Sequence, residues 1–232
     1  LSNMRKSNVL VLAFLLICGC CVAQKKEFVT VKAGTRLLDV VPFAERYRFP
    51  GFIKGKVYYK SGTFSDARLN YNLLSGEMEY LQAADTLSIA NPDDIRMIVL
   101  ATDTFFVDKG YLELMMDGKV QVGLKNFYQL KDVLKKDSYG AASSASATES
   151  YGSLQTQGQA VKLISSEDRV FEKVFKYYLA TPGSGFVLFN KKKVMQLFPQ
   201  QEAMIKDYLK KNKTDFDSGD DLLRFAAFLQ TL

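Results

Sequence analysis

Histidine and tryptophan are absent from this 232-residue chain, and its three cysteines, Cys18, Cys20 and Cys21, all fall near its start. Without histidine there is no Ser-His-Asp triad, no Cys-His dyad, no imidazole proton shuttle and no His-ligated zinc. Without cysteine beyond position 21, the rest of the chain has no thiolate nucleophile, iron–sulfur cluster or disulfide framework. Paired carboxylates, a Ser-Lys pair or an all-oxygen metal site remain for catalysis. No S-x-x-K, G-x-S-x-G or P-loop pattern marks any of these. Enzyme is therefore the minority reading, and no cofactor is expected. Charge of one sign is also scarce. Lys and Arg number 31 against 25 acids, a net +6 that includes Arg5 and Lys6 at the very start. So small an excess leaves no electrostatic footprint for nucleic acid.

What is present begins with an address. Met4-Arg5-Lys6 is a short basic start, and Val9 to Ile17 is an unbroken apolar run of nine. Small residues follow to Ala23, and then Gln24 and the charged Lys25-Lys26-Glu27. That is the three-part layout of a secretory signal, and the run is short for a membrane span. Two processing routes compete. Signal peptidase would cut after Ala23, with small Cys21 at −3, and leave Gln24 as the new N-terminus. Lipoprotein processing would instead acylate Cys20, within Ile17-Cys18-Gly19-Cys20. The domain reading is thus a signal at 1–23 and one β-rich domain at 24–232, held by burial because no disulfide is available.

Residues 28 to 125 read as strand-length segments punctuated by turn signals every 8–14 residues, with no long helix between them. Such spacing means antiparallel hairpins and not βαβ units. Asp117-Gly118 between alternating segments predicts a two-residue hairpin turn. Residues 126–139 fit either a short helix or a strand with a basic end. From Gly140 to Gly158 the chain turns small and polar, with little to bury, and is expected to be a mobile loop. Ala160 to Ile164 resumes structure. Val174 to Leu179 and Gly185 to Phe189 then flank Thr181-Pro182-Gly183-Ser184 as a second hairpin.

Residues 190–232 change period. Asn190 is placed to cap a helix through Phe198, and Pro199 suits a first helical turn. Ser218 with Asp221 predicts a cap for a last helix carrying Leu222, Phe225, Ala226, Phe228 and Leu229 on its apolar side. The class expected is α+β: an antiparallel β-meander, as a curved sheet or open barrel, with a C-terminal helical hairpin packed on it.

Several constellations invite chemistry. Asp215-x-Asp217 to Asp221 resembles a calcium loop, but the sixth and twelfth positions hold Asp220 and Ala226 where Gly and Glu are needed; capping explains these acids better, and no metal is expected. Seven lysines (191, 192, 193, 206, 210, 211 and 213) against Glu202 and Asp207 suit a solvated helix face, or attraction to anionic lipid or polysaccharide. Tyr58, Tyr59, Tyr71, Tyr80 and Tyr111 fall in strands, as cross-strand packing or as a stacking platform for sugars. Glu77 and Glu79 share a strand face, and Asp93-Asp94 are adjacent at a turn; a hydrolase would need such carboxylates across a cleft. No catalytic residue is assigned.

The run Gly55-x-Val57-Tyr58, then Ala67-x-Leu69-Asn70-Tyr71-Asn72-x-x-x-Gly76-Glu77-Met78, resembles an uncharacterised group of secreted or envelope proteins of Bacteroidetes-type Gram-negative bacteria. The tail from Phe198-Pro199 through Tyr208 to Asp221-Leu222, and the Ala23-Gln24 junction, are similar to that group as well. The resemblance implies export in a Gram-negative cell, in the periplasm or associated with the outer membrane, and brings no activity or catalytic residues. The functional expectation is an exported, non-catalytic envelope protein binding a ligand or partner, whether envelope protein, polysaccharide or lipid. The alternatives are a carboxylate-dependent hydrolase of envelope polymers and a lipid-handling open barrel. Intact-mass measurement of the exported protein should give a chain beginning at Gln24; a diacylglycerol-modified Cys20 would establish the lipoprotein route instead.

Overall fold

The computed structural model describes residues 27–83, 85–136, 142–145 and 166–232. The processing residues Cys20, Ala23 and Gln24 and the segment Ala160 to Ile164 lie outside them. Strand β1 (Phe28–Val31) leads to two single-turn helices, α1 (Leu37–Val40) and α2 (Phe43–Arg46). Strands β2 (Ile53–Tyr59), β3 (Phe64–Asn72), β4 (Glu77–Gln82) and β5 (Asp85–Ser88) follow. After a 3-10 turn come β6 (Ile95–Leu100), β7 (Asp103–Val107), β8 (Tyr111–Met116) and β9 (Gln121–Lys136). Then β10 (Ala142–Ala145), β11 (Asp168–Ala180) and β12 (Val187–Leu188) precede helices α3 (Lys191–Leu197), α4 (Glu202–Asn212) and α5 (Gly219–Leu229).

The strands form one antiparallel sheet in the order β1-β11-β9-β8-β7-β6-β2-β3-β4-β5, with β10 beside β9 and β12 beside β11. The path is meander-like and does not close, and with its helices the domain is α+β. Of the 140–158 stretch, only Ala142–Ala145 is described; it pairs with Val133 to Lys136 as a strand. Backbone hydrogen bonds need no apolar side chain, so small polar residues there are no bar to a strand. Residues 126–136 belong to the long β9, which settles that segment as strand.

Alternation puts Val57, Ile98, Phe105 and Tyr111 on one face, and each is at most 4% exposed. A lone sheet cannot cover this face unless it curls. It curls far enough for the Tyr71 ring on β3 to lie 5.6 Å from Phe105 on β7 and 6.5 Å from Tyr111 on β8. The Tyr71 hydroxyl donates to the Asn126 carbonyl at 3.0 Å, and the Tyr128 N–H donates to the Leu73 carbonyl at 2.9 Å. Gly55 permits the tight approach of β6 to β2. A Cβ at that position would sit 2.8 Å from the Val99 carbonyl oxygen and would collide with Leu100.

Where the strand paired with β3 breaks between Tyr47 and Ile53, Asn70 takes over the pairing. Its carboxamide accepts from the Phe49 N–H and donates to the Phe49 and Gly51 carbonyls, at 2.9–3.1 Å. The side chain is fully buried, and it satisfies backbone groups that the excursion would otherwise orphan.

The helices form a second core against the other end of the same sheet face. Ile205, Leu222, Phe225, Ala226 and Leu229 pack with Val120, Val122 and Leu179. Tyr208 stacks on Phe225 and Phe228 at 5.4 and 4.2 Å, joining α4 to α5. Asn190 caps α3 by accepting from the Lys193 N–H, and Ser218 caps α5 by accepting from the Asp221 N–H. The Asp221 carboxylate does not reach back to Ser218; it accepts from the Asp215 N–H and pairs with Arg224.

One local expectation is overturned. Met116 pairs with Val122, not with Lys119, so the connection at Asp117-Gly118 is longer than two residues. Only Gly118 has positive φ, at 137°, whereas a tight turn of that kind needs both central residues there. Helix packing explains the longer loop. The Gln230 side chain donates to the Asp117 carbonyl and accepts from the Val120 N–H, and Val120 is buried beneath the helices.

Because Phe225 is completely buried among aromatic neighbours, Phe225→Ala should lower stability by about 3–5 kcal/mol, read from urea unfolding. Truncation after Phe189 should expose Val120, Val122 and Leu179 and leave an aggregating sheet; a truncated chain that unfolds cooperatively at an unchanged midpoint would make the helices an independent module.

Candidate functional site

The residues singled out in the sequence do not gather into one place. Tyr71 and Tyr111 are 2% and 1% exposed and belong to the core, and Tyr59 and Tyr80 pack against it. Only Tyr58 of the five lies on the outer face, so the stacking platform does not form. Burial also drives the hydroxyl pKa of Tyr71 and of Tyr111 upward from its ordinary value, consistent with packed, neutral phenols. Asp93 and Asp94 sit on an exposed turn. Asp215 accepts from the Asp217 N–H, and no group of three or more His, Cys, Asp or Glu among the described residues is arranged to hold a metal ion. Of the seven lysines, Lys206 pairs with Glu202 at 2.5 Å, and Lys191, Lys192, Lys206, Lys210, Lys211 and Lys213 are exposed.

Glu77 and Glu79 do share a face of β4, and Glu79 is committed to other groups. Glu79 accepts from the Tyr47 hydroxyl at 2.6 Å and from the Asn72 carboxamide at 2.9 Å. Burial raises the Glu77 carboxyl above its ordinary value; Lys125 opposes that shift and Glu79 adds to it. Burial in turn lowers the ammonium pKa of Lys125, which donates to the Lys109 carbonyl. A second carboxylate pair, not evident in the sequence, is tied down by a cation. Arg48 bonds Glu113 at 2.9 Å and Asp103 at 3.2 Å, linking the β2 side of the curl to β7 and β8.

The feature that the sheet does assemble is on its outer face. Strand register places Phe64 opposite Tyr58, Tyr58 opposite Met97, Met97 opposite Phe106, and Phe106 opposite Leu112. Their inward-facing neighbours Val57, Ile98 and Phe105 fill the core, so alternation forces this row outward. Phe186 caps its far end, 5.7 Å from Phe106, held there by its N–H bond to Asp108. Toward β3 the row opens to solvent. Phe64 is 56% exposed, and Tyr58, Met97 and Phe106 are partly so.

The adjacent positions of β2 are cationic. Lys54 and Lys56 alternate with inward Gly55 and Val57, Lys60 opens the turn after β2, and all three lysines are exposed. Lys56 lies opposite Asp66 and Val99, and Lys54 opposite Arg68. The Lys56 ammonium rests 4.6 Å from the centre of the Phe64 ring. Aromatic and aliphatic surface edged by lysine can bind an anionic, partly apolar partner. It carries few donors directed at sugar hydroxyls. Sequence reasoning missed the row because cross-strand register is non-local, although the Lys-x-Lys-x-Tyr-x-Lys alternation from Lys54 to Lys60 was its visible half.

The Glu77 environment supplies a pH test. Its folded-state pKa is raised, so ionisation costs stability as pH climbs from the unfolded-state value through the folded one. Glu77→Gln should therefore be more stable than the parent at neutral pH and converge with it below the ordinary carboxylate value of about 4.3. Thermal melts across pH 3 to 8 measure this; a constant offset would place Glu77 in an ordinary solvated setting. The sequence matches no protein-family profile, and no curated protein or solved structure shows significant similarity to it.

Proposed function

We propose that the protein is an exported, non-catalytic component of a Gram-negative cell envelope that binds a partner through the outer face of β2, β3, β6 and β7. The observation that carries this reading is the aligned row Phe64–Tyr58–Met97–Phe106, partly open to solvent and edged by Lys54, Lys56 and Lys60. Single exposed apolar residues are ordinary on any protein, whereas one exposed and three half-buried side chains aligned across successive strands make a continuous strip that a partner can cover. The leader-like start and the resemblance to secreted envelope proteins support the compartment. Among the described residues no helix is long and apolar enough to cross a membrane.

The lipid-handling alternative takes a modified form. The concave side of the curl is filled by Tyr71, Met78, Ile98, Phe105 and Tyr111, so lipid would meet the outer face and not an interior pocket. Hydrolysis by paired carboxylates draws less support, since Glu79, Asp103 and Glu113 already bond Tyr47, Asn72 or Arg48.

Fractionation of the native cell should recover the protein in the periplasm or the envelope. A photo-crosslinking residue at Met97 should form adducts there, while one at exposed Leu87 on β5 should not. Recovery in the cytosol, or equal crosslinking from both positions, would overturn the proposal.

A further inference from the structure

The outer-face row has a chemistry specific enough to name its occupant. Tyr58 and Phe64 present aromatic rings, Met97 and Val99 present aliphatic surface, and Lys54 and Lys56 stand beside them on β2, with Lys60 in the turn that follows. The opposing charge on this part of the face is Asp66, set across from Lys56. Phe64, the most exposed member, begins β3 at the end of a hairpin whose turn is Lys60-Ser61-Gly62-Thr63. An aromatic ring at a hairpin end, with a lysine ammonium over it and more lysines behind, can enter the headgroup layer of a bilayer while the ammonium groups stay among phosphates.

Resting on the outer-face reading above, we infer that this surface docks the protein on an anionic phospholipid bilayer, with Phe64 and Tyr58 at the acyl boundary and Lys54, Lys56 and Lys60 on lipid phosphates. Charge complementarity favours this occupant over two others. A second copy stacked face to face would bring the lysine rows of both molecules together and repel itself. A polysaccharide needs a ladder of hydrogen-bond donors and acceptors, and Met97, Val99 and Phe106 offer none.

Co-sedimentation of the purified mature chain with large vesicles tests the inference. Vesicles of equal phosphatidylglycerol and phosphatidylcholine should bind it, pure phosphatidylcholine vesicles far less, and added salt should weaken the binding. A lysine near an anionic surface is worth about fivefold in partitioning, so Lys54→Gln with Lys56→Gln should lower binding about thirtyfold. Phe64→Ser should lower it about tenfold by removing an apolar anchor. All three side chains are exposed, so circular-dichroism melts of these variants should match the parent. Lys206→Gln with Lys210→Gln and Lys211→Gln on α4 should change binding less than twofold.

Equal binding to both vesicle types, no binding to either, or loss confined to the α4 variant would overturn the inference. So would a dimer in lipid-free sedimentation velocity that Phe64→Ser dissolves, because the face would then belong to a second copy. Envelope recovery together with crosslinking from Met97, but without vesicle binding, would sink the lipid assignment and leave the outer-face reading standing. Cytosolic recovery would sink that reading whatever the vesicles show.

Discussion

A sheet with helices against only part of one face must cover the rest of that face with itself, and here the curl that does so runs through β3. Leu69, Asn70, Tyr71 and Asn72 are four consecutive residues, none more than 5% exposed. An ordinary antiparallel strand buries every second residue. In β3 the two apolar side chains turn inward, and the two asparagines serve the backbone on the other side. Asn70 replaces the missing ladder between Tyr47 and Ile53, and Asn72 accepts from the Leu74 N–H while donating to Glu79. Tyr71 then reaches Phe105, Tyr111 and the Asn126 carbonyl across the core. Loss of the asparagine contacts would leave buried backbone groups unpaired, at about 1–3 kcal/mol for each. The curl and the polar pins are one device.

The helical end of the molecule follows from the same constraint. Where β8, β9 and β11 pass beyond the curl, Val122 and Leu179 face the same way as Phe105 but have no opposing strand. Helices α3 to α5 cover them, and Phe225 sits at the centre of that contact, 5.9 Å from Phe189 and 5.4 Å from Tyr208. Gly219 records how closely α5 approaches the sheet, since a Cβ there would run into the Tyr177 ring. The turn at Asp117 to Gln121 was reshaped for the same contact. Its loop is held by Gln230, from beyond the end of the last helix.

Local features were legible before the structure, and non-local ones were not. The caps at Asn190 and Ser218 depend on one side chain and a backbone N–H three residues on, so the sequence displays them directly. Most strand limits were visible for the same reason, since alternation and turn residues are local signals. The Asp117-Gly118 turn failed because a residue more than a hundred positions away decides its shape. The tyrosines show the limit for function. Tyr58, Tyr59, Tyr71 and Tyr111 look alike in a strand pattern, yet a one-residue change of phase separates surface from core. Sequence could not choose among them without the register. The curl adds a further loss, since Arg48 meets Glu113 only because strands far apart in sheet order are folded face to face.

The outer face inverts the usual economy of a curled sheet. Along β2 the inward positions are Ile53, Gly55, Val57 and Tyr59, and the outward ones are Lys54, Lys56 and Tyr58, with Lys60 in the turn that follows. Lysines alone on the outward side would need no comment, because they keep a single-layer sheet soluble. Tyr58, Met97 and Phe106 directly opposite one another do not serve that purpose. Tyr58 and Met97, with Phe64 beside them, leave apolar area in water. Phe106 packs against buried Leu112, Ala180 and Phe186, whereas Phe64, Tyr58 and Met97 join none of the core clusters. An apolar strip that lies outside the core clusters, and that solubility disfavours, is best accounted for by something that covers it. The lysines beside it set the sign of that partner's charge, and a strip whose one strong hydrogen-bonding group is the Tyr58 hydroxyl sets the partner's polarity.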